Sequence, residues 1–387
     1  MTVELNILEG EAPSGPWMLA EPAVATFVLV GANEELMGIP EGLAAAIADC
    51  VGEAVDLDKP EATPPGVAWA AAIHVKALPA PLLCWPEAAA IDGTGLPENI
   101  EQRHGLVVQT LLHPQDPLTC LINVARLLAM IDPNAAGVLD WDTSRWLDRE
   151  LLERDFLSDD TEPPEDVLWI VEAKHHETGL SVSSCGLARC GRMELHIEDV
   201  QETHVDAAAD LVAALAALTL EVPLPPEGVS AEIGLGLHVQ LRACEGGVTI
   251  IDANGDPPVD ALQRLSEGNA AIYRTDRFAR RHRAMAQATW SEFKHIALLG
   301  TYECLVEVPF EDPTGEEQRR EHLWMRVSAV NDDTVTATPV HEASVATGVA
   351  VEAQTISPEE IASWRVIIDD EAWGPEQVAT LLERITS

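Results

Sequence analysis

The chain has 387 residues, of which 65 are acidic and 23 basic, giving a formal net charge of −42. A surface of that sign repels phosphate groups, so the composition excludes direct binding to nucleic acid and docking on anionic lipid. The hydrophobic fraction of 47% is typical of a globular chain. We expect no membrane span, because no apolar run reaches the ~20 residues that a bilayer requires.

The seven cysteines do not form a disulfide framework. Their number is odd and their spacing is irregular. Cys50, Cys120 and Cys304 lie within apolar runs, where a free thiol behaves as a small hydrophobic side chain. The N-terminus, Met1 to Pro16, lacks a basic segment followed by an apolar one. We therefore expect reduced cysteines and a cytoplasmic protein.

Apolar runs and helical spacing alternate through the first third of the chain. Short apolar runs predict buried strands, and apolar residues at helical spacing that stop at glycine or proline predict helices. The strands are predicted at Ala25–Val30, Gly66–Ala77, Pro81–Trp85 and His104–Leu112, and the helices at Glu41–Val51 and Leu118–Ile131. This order is similar in outline to a ferredoxin-like arrangement.

The acidic, proline-rich segment Asp159–Asp166 predicts a boundary. The elements predicted after it are strands at Val167–Ala173 and Glu194–Ile197, a helix at Val205–Leu220, and a hairpin that pairs Leu237–Ala243 with Val248–Ile251.

The one concentration of basic residues, at 274–283, leads into an amphipathic helix predicted at Phe278–Leu299. Further strands are predicted at Glu303–Phe310, Leu323–Val330 and Thr334–Val340 and near Val349–Ala353, and a last helix at Pro375–Ile385. We expect Trp290, Trp324 and Trp364 to lie in the core of this region, because such large rings bury substantial area.

These elements predict an α+β fold of mostly antiparallel sheets with helices packed on one face, divided into two or three subdomains. We expect an N-terminal domain at 1–160, a middle domain at 161–270 and a C-terminal domain at 271–387. The sequence leaves open whether the first two pack as one unit.

Four short motifs in the C-terminal region resemble the bacterial YegJ-like domain of unknown function. They are Trp290-Ser291-Glu292-Phe293, Pro309-Phe310, Glu321-His322-Leu323-Trp324 and Ile361-Ala362-Ser363-Trp364, and this chain adds a charged insertion at Glu311–Arg320. No activity is established for that domain. The resemblance therefore implies a domain layout and a bacterial accessory protein, and it implies no reaction.

The middle region looks like a segment that accompanies such domains, of the type Thr-His-Gly-Leu-x-Arg-Phe-Gly-x-Pro-Glu-Leu-Glu. The corresponding stretch here runs from Ser184 to His196. The residues that fit the pattern are Gly186, Leu187, Arg189, Gly191, Glu194 and Leu195, and those that depart from it are Cys185, Cys190 and His196.

The same stretch is rich in side chains that can bind a metal. Cys185 and Cys190 are separated by four residues, which suits a zinc knuckle, but a second cysteine pair is missing. We favour a buried cysteine on a turn with exposed histidines, and expect no cofactor. The alternative is a zinc site formed by Cys185, Cys190, His196 and His175.

Two other patterns have a chemical and a structural interpretation. Glu321 and His322 could act as acid and base, but alternation along a strand places them on opposite faces, which favours a packing motif. Arg277, Arg280 and Arg281 share a helix face and could bind an anion. In so acidic a chain we favour pairing with internal carboxylates.

The sequence predicts a non-enzymatic acidic protein-interaction module, acting as an inhibitor, immunity protein or accessory factor on a basic partner protein. The acidic residues proposed to contribute are Asp159, Asp160, Glu162, Glu165, Glu316 and Glu317. The alternatives are a metal-dependent hydrolase built on the His/Cys cluster and a structural scaffold subunit. The oligomeric state stays open.

Overall fold

The computed structural model describes residues 5, 15–87, 96–97, 100, 104–158, 163–176, 179–234, 236–267, 270, 272–311, 320–331, 333–341, 352–369 and 371–386. The chain divides into two compact units, Met1–Thr275 and Asp276–Ser387. Both are built from mostly antiparallel sheets and helices, which confirms the α+β fold. The regions 1–160 and 161–270 lie together in the first unit.

The first sheet has seven strands in the order β2-β3-β4-β5-β1-β6-β7, and every pair is antiparallel. The path β1–α2–β4–β5–α3–β6 with the sheet order β4-β5-β1-β6 is ferredoxin-like. The other strands extend it at both edges. The elements are β1 (Ala25–Val30), β2 (Asp56–Asp58), β3 (Ala71–His74), β4 (Leu82–Glu87), β5 (Gly105–Thr110), β6 (Gly137–Asp140), β7 (Arg145–Asp148), α1 (Glu34–Gly38), α2 (Pro40–Val51), α3 (Pro117–Ile131) and α4 (Arg149–Leu151).

Helix α3 is the central helix of this layer. The helix begins at Pro117, because Asp116 accepts a hydrogen bond from the Thr119 amide and proline is favoured in the first turn. The helix is apolar on almost all sides, and twelve of its fifteen residues are buried. A helix of that kind belongs inside a core rather than at a surface.

The second sheet has the order β11-β12-β13-β10-β9-β8, with one parallel pair, β10 and β13. Helix α5 packs on β8, β9 and β10. Most of its buried residues belong to the same hydrophobic core as Phe27 of the first sheet. The elements are β8 (Ile170–His175), β9 (Leu180–Cys185), β10 (Glu194–Val200), β11 (Ala231–Gly234), β12 (Leu237–Cys244), β13 (Gly247–Ile251), α5 (Val205–Glu221) and α6 (Val259–Ser266).

The segment Glu202–Glu221 is long and apolar enough to cross a bilayer by length and composition alone. In the structure, Leu211, Val212 and Leu215 of this segment are completely buried in the core of the first unit. The packing of these side chains explains the apolar composition as that of a core helix.

The C-terminal unit is a six-stranded antiparallel sheet in the order β17-β16-β15-β14-β18-β19. Residues from its helices, such as Phe293 and Leu381, share a core with Val306, Met325 and Trp364 of the sheet. The elements are α7 (Asp276–Ala288), α8 (Trp290–Leu299), β14 (Glu303–Glu311), β15 (Arg320–Val330), β16 (Val335–Pro339), β17 (Gln354–Ile356), β18 (Ser363–Ile368), β19 (Glu371–Trp373) and α9 (Val378–Thr386).

The single helix predicted at Phe278–Leu299 is two helices, α7 and α8. They are separated by Thr289, whose backbone leaves the helical region at φ −104° and ψ 16°. The Thr289 hydroxyl donates to the Met285 carbonyl and accepts a hydrogen bond from the Trp364 indole at 3.1 Å. This side-chain bonding stabilises the break, which helical spacing alone could not indicate.

The strand predicted near Val349–Ala353 reaches into 342–351, outside the described residues, and β17 follows it.

Two of the three tryptophans expected in the C-terminal core pack there. Trp364 is fully buried against Phe293, with ring centroids 5.2 Å apart, and Trp290 packs on the same core. The prediction for Trp324 is wrong. Its neighbours Leu323 and Met325 are buried, and alternation along β15 turns Trp324 to the opposite face.

All seven cysteines are free thiols, as expected from their spacing. Cys50, Cys84, Cys120, Cys190 and Cys304 are buried, whereas Cys185 and Cys244 are partly exposed.

Candidate functional site

The structure does not bring the predicted zinc ligands together. Cys185 pairs with Ile170 at one end of β8, and His175 pairs with Leu180 at the other end, five residues or about 17 Å away. His196, on β10, pairs with Ser183 of β9. Within the described ranges, no group of three or more His, Cys, Asp and Glu side chains could hold a metal ion. The zinc interpretation, and with it the hydrolase built on this cluster, therefore lacks its ligand set.

Neither cysteine of the pair is an activated nucleophile. Cys190 is completely buried with its sulfur toward the Gly186 carbonyl, and burial raises the pKa of its thiol to about 12. Burial, followed by the charge of Glu194, also raises the pKa of the Cys185 thiol. Both groups are thiols at neutral pH, whereas metal binding and nucleophilic attack need the thiolate.

The segment Gly186–Glu194, which we call the clasp, is instead a structural element. The Glu194 carboxylate accepts hydrogen bonds from the Gly186 and Ala188 amides, both at 3.0 Å, and from the Ser184 hydroxyl at 2.6 Å. A Cβ at Gly186 would lie 2.7 Å from the Leu168 carbonyl oxygen. Glycine is therefore required there, and the carboxylate holds the short helical turn Leu187–Cys190 against the sheet.

Arg189 of the clasp links the two sheets of the first unit. Its guanidinium forms a two-pronged pair with Asp140 of β6, at 2.7 and 2.8 Å, and donates to the carbonyls of Leu168 and Val167. Both charged side chains are almost completely buried. A guanidinium with this bonding is satisfied inside the protein and is not available to a ligand.

Arg192, the second buried arginine of the clasp, donates to the carbonyls of Pro114, Cys190 and Thr219. Thr219 lies in the last turn of α5, where carbonyls lack partners within the helix. Arg192 thus stabilises the end of the core helix. The sequence pattern did identify this stretch, and the structure shows that its residues serve packing.

The Glu321-His322-Leu323-Trp324 motif contributes to an open surface. Trp324 and His322 lie on the face of the C-terminal sheet opposite the core residues Leu323 and Met325. The partner of His322 is Glu307 of β14, with Nδ1 and Oε1 3.6 Å apart. The side chain of Glu321 lies outside the described part of the chain. The acid–base pair suggested by the sequence is therefore replaced by a contact across two strands.

We call this surface the Trp324 face. The Arg365 guanidinium of β18 lies over the Trp324 ring, 4.2 Å from its centroid. Arg326 donates to Glu303 at 2.7 Å. The face therefore combines an aromatic ring, two arginines and paired carboxylates on three adjacent strands, β18, β14 and β15. It could bind a partner through stacking and charged hydrogen bonds.

The basic residues at the start of the C-terminal unit form internal contacts. Arg281 pairs with Glu376 at 2.5 Å, and Arg283 donates to the Glu359 carbonyl. Phe278 and His282 stack with ring centroids 4.0 Å apart. These contacts fit internal pairing rather than an anion site.

The acidic residues expected to attract a partner fall into two groups. Glu165 is buried, because it lies in the short helix Glu165–Leu168 and accepts a 2.7 Å hydrogen bond from the Thr275 hydroxyl. The expectation that it belongs to an exposed acidic loop is wrong. The others, Asp159, Asp160, Glu162, Glu316 and Glu317, lie outside the described residues.

Residues 278–387 match a family model, DUF2314, described as an uncharacterised protein conserved in bacteria. This match confirms a bacterial domain of unknown function at the C-terminus and covers the Trp324 face, while the YegJ-like name stays a prediction. No curated protein and no solved structure matches the chain. The fold and the match define an α+β protein whose C-terminal unit is similar to this bacterial family.

Proposed function

We propose that the protein is a non-enzymatic, acidic protein-interaction module of the bacterial cytoplasm, acting as an inhibitor, immunity protein or accessory factor. The observation that supports this most is the Trp324 face. Its tryptophan and arginine are the residue types that carry most of the binding energy at protein interfaces. They lie on an open sheet face, while the other face of the same sheet is filled by the core.

The net charge of −42 indicates which kind of partner the protein attracts. A field of that sign accelerates the approach of a basic protein and slows that of an acidic one. Glu303 and Glu307 add carboxylates beside the tryptophan. The partner we propose is therefore a basic protein, whose arginine or lysine side chains would compete with Arg365 for the ring of Trp324.

The test begins with affinity purification of the full chain from its bacterial host, followed by binding measurements with the purified partner. We expect Trp324→Ala to weaken the complex by about thirtyfold, because an interface tryptophan of this type is worth 2 kcal/mol or more. The control is Leu298→Ser, which removes an exposed leucine from α8 of the same unit. Thermal unfolding verifies that both variants are folded.

Raising the salt concentration should slow association and change dissociation little, because exposed charges steer encounter. A partner that binds wild type, Trp324→Ala and Leu298→Ser equally well would contradict the Trp324 face as the binding site. A partner whose association rate ignores salt would contradict the electrostatic part of the proposal.

A further inference from the structure

The first sheet of the larger unit has an outer face that the Trp324 face does not involve. One side of this sheet carries the core residues Phe27, Leu29 and Val108. On the other side, Val28, Val30, Val107 and Leu139 form a separate small buried cluster. Trp85 and Trp146, both half-buried, pack against that cluster. Leu96 and Ile100 also pack on it, so this part of the sheet is covered on both faces.

Trp146 is seated by a glycine on the neighbouring strand. A Cβ on Gly137 would lie 2.7 Å from the Trp146 ring and 2.5 Å from the Leu147 carbonyl oxygen. Gly137 pairs with Asp148, two residues beyond the tryptophan. Only glycine leaves room for the indole at this position of β6.

One end of this face exposes three large apolar side chains, which we call the Trp141 patch. Val24 is 48% exposed, Leu111 is 36% exposed and Trp141 is 47% exposed. Val24 and Leu111 flank the Ala25–Thr110 pair on adjacent strands. They alternate onto the same side as Thr26 and Gln109, whose side chains share a 3.2 Å hydrogen bond.

The patch is held rigidly. The Trp141 amide donates to the Thr26 carbonyl at 3.0 Å, and the Asp142 carboxylate accepts from the Thr26 amide at 2.8 Å. Directly before the tryptophan, Asp140 is fixed by its buried pair with Arg189. An exposed tryptophan on such a support needs little ordering when it binds.

Apart from His74, the charged side chains that the strands of this sheet place on the outer face are carboxylates. The strands place Asp56, Asp58 and Glu87 on it, with His74 paired to Asp58 at 3.3 Å. No strand of the sheet places a lysine or arginine there, since Arg145 turns inward and donates to the Trp169 carbonyl. The unit Met1–Thr275 has 45 acidic and 13 basic residues, a net charge of −32.

We propose that the Trp141 patch docks a segment of a partner protein that presents an apolar side chain flanked by lysine or arginine. The apolar side chain would bury against Val24, Leu111 and Trp141. The flanking cations would meet the negative field of a unit whose net charge is −32, and the electron-rich indole. A second copy of this chain brings the same negative charge to the contact and is disfavoured. This surface is separate from the Trp324 face and does not depend on it.

The test is a random-peptide library displayed on phage and selected on the full chain, with the Trp141→Ser chain used to remove peptides that bind elsewhere. We expect the recovered peptides to be enriched in lysine and arginine around a leucine, phenylalanine or tryptophan. A synthetic copy of the most frequent peptide should bind Trp141→Ser and Leu111→Ser at least about tenfold more weakly than wild type. Val222→Ser, which removes a 50% exposed valine from the same unit, should bind it like wild type.

Circular dichroism and thermal unfolding of each variant separate a lost contact from a lost fold, and Leu111→Ser keeps the test valid where Trp141→Ser alone fails to fold. Recovery of acidic or uncharged peptides would overturn the proposal, and so would peptides that bind all variants equally. A concentration-dependent dimer in wild type that Trp141→Ser abolishes would assign the patch to a second copy and also overturn it. None of these outcomes involves Trp324.

Discussion

Arg189 and Arg365 are both arginines near segments that the sequence marks as motifs, yet they occupy opposite environments. Arg189 is buried, paired with Asp140 and bonded to two carbonyls. Arg365 is exposed and lies on the ring of Trp324. The clasp therefore uses its arginine to hold two sheets together, whereas the Trp324 face leaves its arginine within reach of solvent. A sequence motif therefore does not by itself distinguish a stabilising residue from a binding residue. Whether the side chain is buried or exposed makes that distinction.

The strongest test of this comparison is Arg189→Ala. Removing one partner of a buried ion pair leaves Asp140 charged and unpaired, which should lower the free energy of unfolding by about 3–5 kcal/mol in denaturant titrations. The matched control is Arg326→Ala, whose pair with Glu303 is exposed and should be worth less than about 1 kcal/mol. The double variant Arg189→Met with Asp140→Leu should recover much of the loss. Equal losses for Arg189→Ala and Arg326→Ala would remove the distinction.

The two tryptophans of the C-terminal sheet give a second test. Trp364→Ala should cost about 3–5 kcal/mol, because the ring is fully buried against Phe293. Trp324→Ala should cost about 1 kcal/mol, since it loses mainly the contact with Arg365. Both values come from urea unfolding followed by circular dichroism. A larger loss for Trp324→Ala than for Trp364→Ala would contradict the assignment of the core to the face that carries Trp364.

Glu194→Ala tests the clasp from its carboxylate. Two partly buried amides and one hydroxyl would lose their acceptor, so we expect a loss of about 2 kcal/mol in the free energy of unfolding. Glu198→Ala is the control, because Glu198 lies exposed on the same strand and should change stability little. Similar values for the two variants would show that the carboxylate does not hold the turn.

The smallest effect is a pH dependence at Asp142. Burial raises the pKa of its carboxyl above the ordinary value near 3.8, although the Thr26 amide and Arg189 oppose the shift. The folded state therefore holds this proton more tightly than the unfolded chain. The contribution is fully present below pH 3.8 and is lost as pH rises through the raised pKa. Unfolding free energies of wild type minus those of Asp142→Asn should fall across that window, and a rising difference would contradict the shift.

Periodicity was sufficient for most of the fold. The apolar spacing of α3 and α5, the apolar run of β1 and the hairpin of β12 and β13 each lie where the sequence predicts them. The strand predicted at Gly66–Ala77 shortens to β3. Strand β9 went unpredicted, because its apolar signal is short, with only Leu180 and Val182 alternating with serines. The helix breaks at Thr289, whose hydroxyl accepts a hydrogen bond from the Trp364 indole, 75 positions away. A local sequence pattern cannot include such a distant contact.

The surfaces were harder to predict than the core. The Cys185 and Cys190 spacing suited zinc, but it measures separation along the chain, and the turn Leu187–Cys190 sends one thiol into the interior. The Trp141 patch assembles from residues that flank three strands far apart in sequence. Alternation shows which face a residue takes only when the pairing of the strands is known.

The clasp also governs how the larger unit comes apart. If the second sheet separated from the first, Arg189 would leave Asp140 without its partner in the interior, and the carbonyls of Leu168 and Val167 would lose their donor. An opening confined to one sheet therefore carries the cost of an unpaired buried charge. The amide protons of Gly186 and Ala188, which donate to Glu194, should therefore exchange with solvent far more slowly than those of exposed loops.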